Sequence, residues 1–227
     1  MHRTPPGRVS GAGLLRDREP APAGDADGPR VGVLALQGDV AEHLRMLDAV
    51  GAQGVLVQRP GDLDDLDGLV VPGGESTTIG KLAELYGLLG PLRSRLADGL
   101  AAFGTCAGAI LLARGALLAD GRPSEQPLLE AMDLVARRNA FGRQVASFEA
   151  DVHVTGVSGD PMHAVFIRAP WFEAVGADVE VLATVATALG EQIVVARQGR
   201  LLASAFHPEL VGDARLHRLF VASLRRG

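Results

Sequence analysis

Val31-Gly32-Val33-Leu34-Ala35-Leu36-Gln37-Gly38-Asp39-Val40 is the stretch on which the fold turns. Its first six residues are an unbroken apolar run, as in a strand covered on both faces of a parallel sheet. From Asp39 the period changes. Val40, Leu44, Leu47 and Val50 share one helical face, with Asp39 as the expected cap, Glu42 completing a capping-box-like start and Gly51 ending the helix. A strand followed at once by a covering helix is the repeating unit of an α/β fold. The alternation continues. Val55-Leu56-Val57 and Leu69-Val70-Val71 read as strands, 77–89 and 91–97 as helices, 100–103 as a buried strand and 107–113 as a helix. Beyond that, 145–154, 164–167, 179–185, 193–196 and 201–206 read as strands joined by short turns, an antiparallel portion, and 213–224 as a closing amphipathic helix.

Composition narrows the function. The 227 residues carry 22 Lys+Arg against 27 Asp+Glu, a net charge of −5, without the basic excess that tracking a nucleic-acid backbone requires. Hydrophobic residues make up 47% of the chain, yet no run approaches the roughly 18 to 20 apolar residues of a membrane span. With aromatics at 4%, Val, Leu and Ala must fill the core. One cysteine, Cys106, excludes an intrachain disulfide and a multi-cysteine zinc site, which implies a reducing, cytoplasmic setting. Residues 1–29 hold five Pro and five Gly, with four Arg balanced by four acids. That composition predicts a disordered N-terminal extension ahead of one domain at 30–227, and no secretory signal.

Three motifs carry chemistry. Gly104-Thr105-Cys106-Ala107-Gly108 lies where a buried strand meets a helix, the context of a nucleophile elbow with Cys in place of Ser. Backbone N–H groups at that helix start favour a thiolate and can bind an oxyanion. His207-Pro208-Glu209 leaves another strand end, so His207 can serve as base to Cys106 if the two strands are near neighbours, and Glu209 can orient the imidazole. Val71-Pro72-Gly73-Gly74-Glu75-Ser76 is a glycine turn whose backbone donors face the elbow. It is not a phosphate loop, because Glu75 stands five residues before Gly80 where Gly is required, and Leu82 follows Lys81 where Ser or Thr is required. The arginines of Arg137-Arg138-Asn139-Ala140-Phe141-Gly142-Arg143, and Arg168, are candidates to grip a carboxylate. His153 and His163 lack ligand-like spacing, so no metal is implied, and no cofactor is expected.

Taken together, Leu34-Ala35-Leu36-Gln37-Gly38-Asp39, Pro72-Gly73-Gly74-Glu75-Ser76-Thr77, Phe103-Gly104-Thr105-Cys106-Ala107-Gly108, Arg138-Asn139-Ala140-Phe141-Gly142-Arg143-Gln144, Phe166-Ile167-Arg168-Ala169-Pro170 and Phe206-His207-Pro208-Glu209-Leu210 resemble the class I (triad) glutamine amidotransferases. Within that class the first and fourth phrases resemble the glutaminase-subunit family of pyridoxal 5′-phosphate synthase, over about residues 31–224. The resemblance implies a three-layer fold, a mostly parallel central sheet flanked by helices with a smaller antiparallel portion. It implies that Cys106 attacks the side-chain amide of L-glutamine, His207 relays protons and Glu209 orients His207, with a glutamyl thioester as intermediate. It further implies substrate contacts from Gly74, Glu75, Ser76, Arg138, Ile167 and Arg168, and an oxyanion hole from the Gly73-Gly74 peptide and the Ala107 N–H. Gln37 falls at the implied junction with the synthase, a separate barrel subunit that takes up the ammonia within a multi-subunit ring.

Two departures stand out. The 29-residue leader carries none of the motifs, and Ala146 occupies a place in Gln144-Val145-Ala146-Ser147-Phe148-Glu149 where the family pattern has Asp. A cysteine hydrolase of the dienelactone type is the rival enzyme, but its acid should precede the histidine by many residues, whereas Glu209 follows His207 by two. A catalytically dead scaffold on the same fold is the non-enzyme alternative, and the intact Cys106, His207 and Glu209 argue against it.

Overall fold

The computed structural model describes residues 28–141 and 147–224. In chain order they form β1 (Arg30–Leu34), α1 (Val40–Ala49), β2 (Gln53–Val57), β3 (Gly68–Val71), α2 (Ser76–Leu85), α3 (Leu89–Ala97), β4 (Ala101–Thr105), α4 (Ala107–Leu112), β5 (Ala113–Leu117), β6 (Met132–Arg137), β7 (Ser147–Val152), β8 (Met162–Ile167), β9 (Trp171–Val175), β10 (Glu180–Thr187), β11 (Gly190–Gln198), β12 (Leu201–Ser204) and α5 (Arg215–Leu224).

Ten strands share one sheet in the order β2-β1-β3-β4-β12-β11-β9-β6-β5, with β10 paired to β11, while β7 and β8 pair only with each other. The half from β2 to β12 is parallel. Beyond it β11 and β9 run antiparallel to their neighbours, and β5 and β6 pair in parallel at the far edge. This is the predicted mostly parallel sheet with an antiparallel portion. Its central strands β3 and β4 are buried along their whole length, as their unbroken apolar runs require.

Topology then places the site. The connection β1-α1-β2 moves toward one edge of the sheet and β3-α2-α3-β4 toward the other, so right-handed crossovers put α1 and the α2–α3 pair on opposite faces. The order reverses between β1 and β3, and a crevice opens there beyond the carboxyl ends of the strands. The loops at 35–39 and 72–75 line it. On the α1 face, α5 packs against α1 and β4, with the Phe220 ring 5.9 Å from that of Phe103.

Aromatic residues, few in the chain, gather at the opposite border of the crevice. Phe148 stacks on Phe166 at 4.4 Å, Phe141 lies 5.3 Å from Trp171, and Phe166 meets Phe206 at 5.5 Å. The β7–β8 hairpin is thereby held against the exit of β12.

Several boundaries differ from the sequence reading, which contained no β5, β6 or β9. Ala113-Arg114-Gly115-Ala116-Leu117 has no β-branched residue, β6 carries Asp133 and Arg137 among its apolar positions, and β9 opens straight after Pro170. All three exist through sheet pairing rather than local preference. The helix expected over 77–89 ends at Leu85, and Gly87 at φ 68° separates it from α3. The strand expected over 201–206 stops at Ser204, whose hydroxyl takes the Phe206 N–H at 3.3 Å. Asp39 precedes α1 without a side-chain capping bond. Its carboxylate points instead to His207. The expected extension at 1–29 falls almost wholly outside the described residues, as do Gly142 to Ala146 and the start of the strand expected at 145.

Candidate active site

β4 ends at Thr105 and α4 begins at Ala107, so Cys106 alone makes the turn between them, at φ 47° and ψ −104°. An L residue holds such a conformation only where its surroundings impose it. Gly104 and Gly108 impose it by lacking side chains. A Cβ on Gly104 would lie 2.6 Å from the Gly108 carbonyl carbon, and one on Gly108 would lie 1.8 Å from the Val71 carbonyl oxygen. The helix therefore folds back over its own strand and abuts the end of β3. The Cys106 N–H donates to the Ser204 carbonyl at 2.7 Å, which ties the elbow to β12.

β12 lies beside β4 with Ser204 opposite Thr105, so the chain leaving β12 passes directly over the elbow. His207 lines the same cavity as the Cys106 thiol and places Nδ1 2.7 Å from Glu209 Oε1. Burial pulls the His207 pKa down, but hydrogen bonds and charge from Cys106 and Glu209 prevail and raise it to about 10. Burial would raise the Glu209 pKa, yet hydrogen bonds from His207 and His43 hold it well below the usual carboxylate range. The proton of this dyad therefore resides on His207. Asp39 Oδ2 lies 3.5 Å from His207 Nδ1, and burial raises the Asp39 pKa against the pull of the imidazole. Donor atoms of Asp39, His207 and Glu209 lie within 4.8 Å of one another, close enough to share a metal ion. The 2.7 Å contact between His207 and Glu209 fits an acid–base pair better, because it occupies the ring nitrogen a metal would need.

The second wall is backbone. Gly38, at φ 105°, admits the Gly73 carbonyl so closely that a Cβ would sit 1.7 Å from its oxygen, and a Cβ on Gly73 would meet His207 Cε1 at 2.3 Å. Gly74 sits at φ 142° against the Gln37 side chain, whose Oε1 accepts the Glu75 N–H at 2.8 Å. The loops after β1 and β3 are thus locked to each other. The Glu75 carboxylate caps α2 by accepting from the Thr77 and Thr78 N–H groups at 3.2 and 2.7 Å, and it also accepts from Arg138 Nη2 at 2.8 Å. Although burial opposes it, the hydrogen bonds from Thr78 and then Thr77 lower the Glu75 pKa.

The third wall comes from the antiparallel half. Arg138 and Asn139 follow β6, and Ile167 ends β8 ahead of Arg168. Asn139 at φ 46° and Arg168 at φ 44° are non-glycine residues in the left-handed region, so the rim, like the Cys106 elbow, holds local backbone strain.

These walls enclose a cavity of about 310 Å³ lined by Gln37, Gly74, Glu75, Ser76, Cys106, Ala107, Arg138, Ile167, Arg168 and His207. Gly73 lies against the His207 ring and Glu209 behind it. Every residue that the resemblance singled out is therefore brought to one place. The cavity also presents Asp39, Asn139 and Leu210, which the sequence reading did not assign to it. Arg137 turns away to Glu173, at 2.8 and 2.9 Å. Arg143 lies outside the described residues. Ser76 hands its hydroxyl hydrogen to Gln126 Oε1 at 3.0 Å. Gln126 and the buried His43 were both missed. His43 was detectable, since it sits four residues before Leu47 on the inward helix face; Gln126 lies in a connection with no periodic signal.

The family model of the SNO glutamine amidotransferase family matches residues 33–226. The chain belongs to that family. As a member of the SNO glutamine amidotransferase family it is 62% identical over 198 residues to the pyridoxal 5′-phosphate synthase subunit PdxT of Frankia alni, covering 87% of this chain and 96% of that protein. It is 57% identical over 200 residues to the subunit of the same name from Rhodococcus jostii, covering 87% and 98%. A solved structure described as a glutamine amidotransferase aligns with a TM-score of 0.78 at 51% identity, over 86% of this chain and 98% of the other.

Proposed function

We propose that this chain is the glutaminase subunit of pyridoxal 5′-phosphate synthase, hydrolysing L-glutamine to L-glutamate and ammonia. The observation that carries the reading is the Cys106 elbow and His207 lining one cavity, with Glu209 buried behind the imidazole and 2.7 Å from it. Cys106 Sγ attacks the side-chain amide carbon, and the oxygen that gains charge is held by the Ala107 N–H and the Gly73-Gly74 peptide. His207 delivers its proton to the departing nitrogen, so ammonia leaves and a glutamyl thioester remains on Cys106. Water, deprotonated by His207, then attacks the thioester and releases glutamate with the thiol restored. Glu209 keeps the imidazole in register and steadies its positive charge. Arg168 and Arg138, with Ile167, Gly74, Glu75 and Ser76, hold the amino-acid end of the substrate, Arg138 acting partly through its ion pair with Glu75.

The ammonia passes to a barrel-shaped synthase subunit, with many copies of both subunits in a ring. Gln37 is the link to that partner. Its bond to the Glu75 N–H fastens the β1 loop to the glycine turn, so contact made at Gln37 reaches the Gly73-Gly74 peptide, whose carbonyl now faces Gly38. Turning that peptide costs little with glycine on both sides. Losing one oxyanion donor costs about 10² to 10³ in rate, enough to silence hydrolysis until the partner docks. The catalytic unit spans 30–227, with 1–29 an extension outside it. The setting is cytoplasmic, and among the described residues no helix is long and apolar enough to cross a membrane. The test is glutamate release by the purified chain, alone and with saturating cognate synthase. A rise of about 10² or more on adding the partner, largely lost in Gln37→Ala, supports the reading. Equal rates with and without the partner contradict it.

A further inference from the structure

Behind the triad lies a second set of buried polar side chains that the mechanism above does not use. His43 of α1 and His217 of α5 are both wholly buried, and each faces the other across the packing of those helices, with His43 Nδ1 2.9 Å from His217 Nε2. On its other edge His43 presents Nε2 to two atoms at once, Thr105 Oγ1 at 3.1 Å and Glu209 Oε1 at 3.5 Å. Thr105 is the residue before the nucleophile. One imidazole nitrogen thus bridges the acid of the triad and the strand that carries the elbow.

Hydrogen placement follows from what surrounds the ring. An ionised carboxylate only accepts, so His43 Nε2 must carry a hydrogen. His217 is held neutral, its pKa pushed down to about 3 by burial and then by His43. A neutral His217 has one N–H. Placed on Nε2 and donated to His43 Nδ1, it leaves only a bare lone pair at His217 Nδ1, which has no hydrogen-bond partner among the described residues. The opposite tautomer would bury an orphan N–H, the costlier defect. Glu209 Oε2 also lacks a partner, so the carboxylate's held oxygen is Oε1, shared by His207 and His43.

Resting on the glutaminase reading above, we propose that His43 is a positioning residue of the reaction: its Nε2–H clamps Glu209 to Thr105, setting acid and elbow at a fixed separation, while His217 fixes the His43 ring. A buried histidine pair is an expensive way to fill space that leucine could fill, and removing one partner of a buried charged contact leaves the other exposed to the apolar interior. Loss of the clamp lets Glu209 turn from His207, weakening support for the imidazolium that the reaction needs. The ionisable groups facing this network are Glu209, His207 and Cys106 at the site, Asp39 and Glu42 from the start of α1, and His217 and Asp213 from the α5 side.

The test compares His43→Leu, His43→Gln and His43→Asn. Leu removes both ring nitrogens at similar volume. A Gln side-chain amide reaches the place of Nε2, whereas an Asn amide stops near that of Nδ1. With saturating synthase, His43→Leu and His43→Asn should lower kcat about 10 to 100-fold with KM for glutamine unchanged within about twofold, and His43→Gln should recover most of the loss. The second readout needs neither glutamine nor partner. Cys106 is the sole cysteine, so the pH profile of its alkylation by iodoacetamide reports thiolate formation directly. Its midpoint should move up by about one unit in His43→Leu, the shift expected when a hydrogen bond to a charged group is lost, and return in His43→Gln. Because this arm is independent of turnover, a failure of the glutaminase reading leaves it standing. Wild-type kcat and midpoint in His43→Leu would overturn the proposal, and so would equal impairment of the Gln and Leu variants, which would mark a packing role. Should His43→Leu fail to fold, equal behaviour of Gln and Asn overturns it, and Gln near wild type with Asn impaired supports it.

Discussion

The parallel and antiparallel halves of the sheet meet at the cavity but are built differently. From β1, β3, β4 and β12 come turns pinned by close contacts that only glycine allows, at Gly38, Gly73, Gly104 and Gly108, and on them stand Cys106 and His207. From β6 and β8 come Arg138, Asn139, Ile167 and Arg168, where Ile167 and Arg168 are exposed and two residues hold strained left-handed backbones. A reacting pair needs sub-ångström constancy, and buried strands supply it. A grip on a flexible polar substrate needs reach, and rim loops supply that. Changes in the first half should therefore fall on kcat, and changes in the second on KM.

The largest effect that would sharpen this division is at the nucleophile. Cys106→Ala should abolish glutamine hydrolysis, a loss of at least about 10⁴, while circular dichroism and thermal unfolding show an intact fold and synthesis from supplied ammonia survives. His207→Ala should fall nearly as far. Glu209→Gln should lose less, about 10² to 10⁴, since in the proposed mechanism it orients the base and is not itself the base. A variant of this half that raised KM and spared kcat would break the comparison.

Next in size comes the rim. Arg168→Ala should raise KM for glutamine about 10 to 100-fold with kcat within a few fold, the value of a charged contact worth about 1.5 to 3 kcal/mol. Arg138→Ala should do the same and also loosen Glu75. Unchanged KM in Arg168→Ala would remove it from substrate binding.

Smaller still is the effect of pH on stability. The folded pKa of His207 is raised, so its contribution is fully present below its ordinary value near 6.5 and is lost as pH climbs toward about 10. Thermal melts should fall across that interval by at least about 3 °C, roughly what 1 kcal/mol produces in a chain of this size. Cys106→Ala removes part of what raises the His207 pKa, so its melts should fall less. Identical slopes would contradict the thiol–imidazole coupling. Least of all, deletion of residues 1–29 should leave turnover and melting unchanged; a drop in either would show that the extension belongs to the working unit.

How far the sequence revealed all this follows the same division. The parallel half was legible because burial on both faces writes itself as unbroken apolar runs, and because an elbow demands small residues at fixed offsets from Cys106. β5, β6 and β9 were not legible, since their strand character comes from neighbours contributed by distant parts of the chain. Asp39 stands at the N-cap position of α1 as expected, but its side chain makes no capping bond for a related reason: it is drawn to His207, 168 positions away. The burial of His43 was legible from its helix face, but its partners were not, because Thr105, Glu209 and His217 lie in distant parts of the chain.

The central claim, that Cys106 forms a covalent glutamyl intermediate, is tested most directly by acid-quenching the chain during turnover of glutamine with its synthase partner and measuring peptide masses. The expected result is a glutamyl adduct on the peptide bearing Cys106, present in wild type and absent in Cys106→Ala. Sustained glutamate release by Cys106→Ala, or an adduct on any other residue, would contradict it.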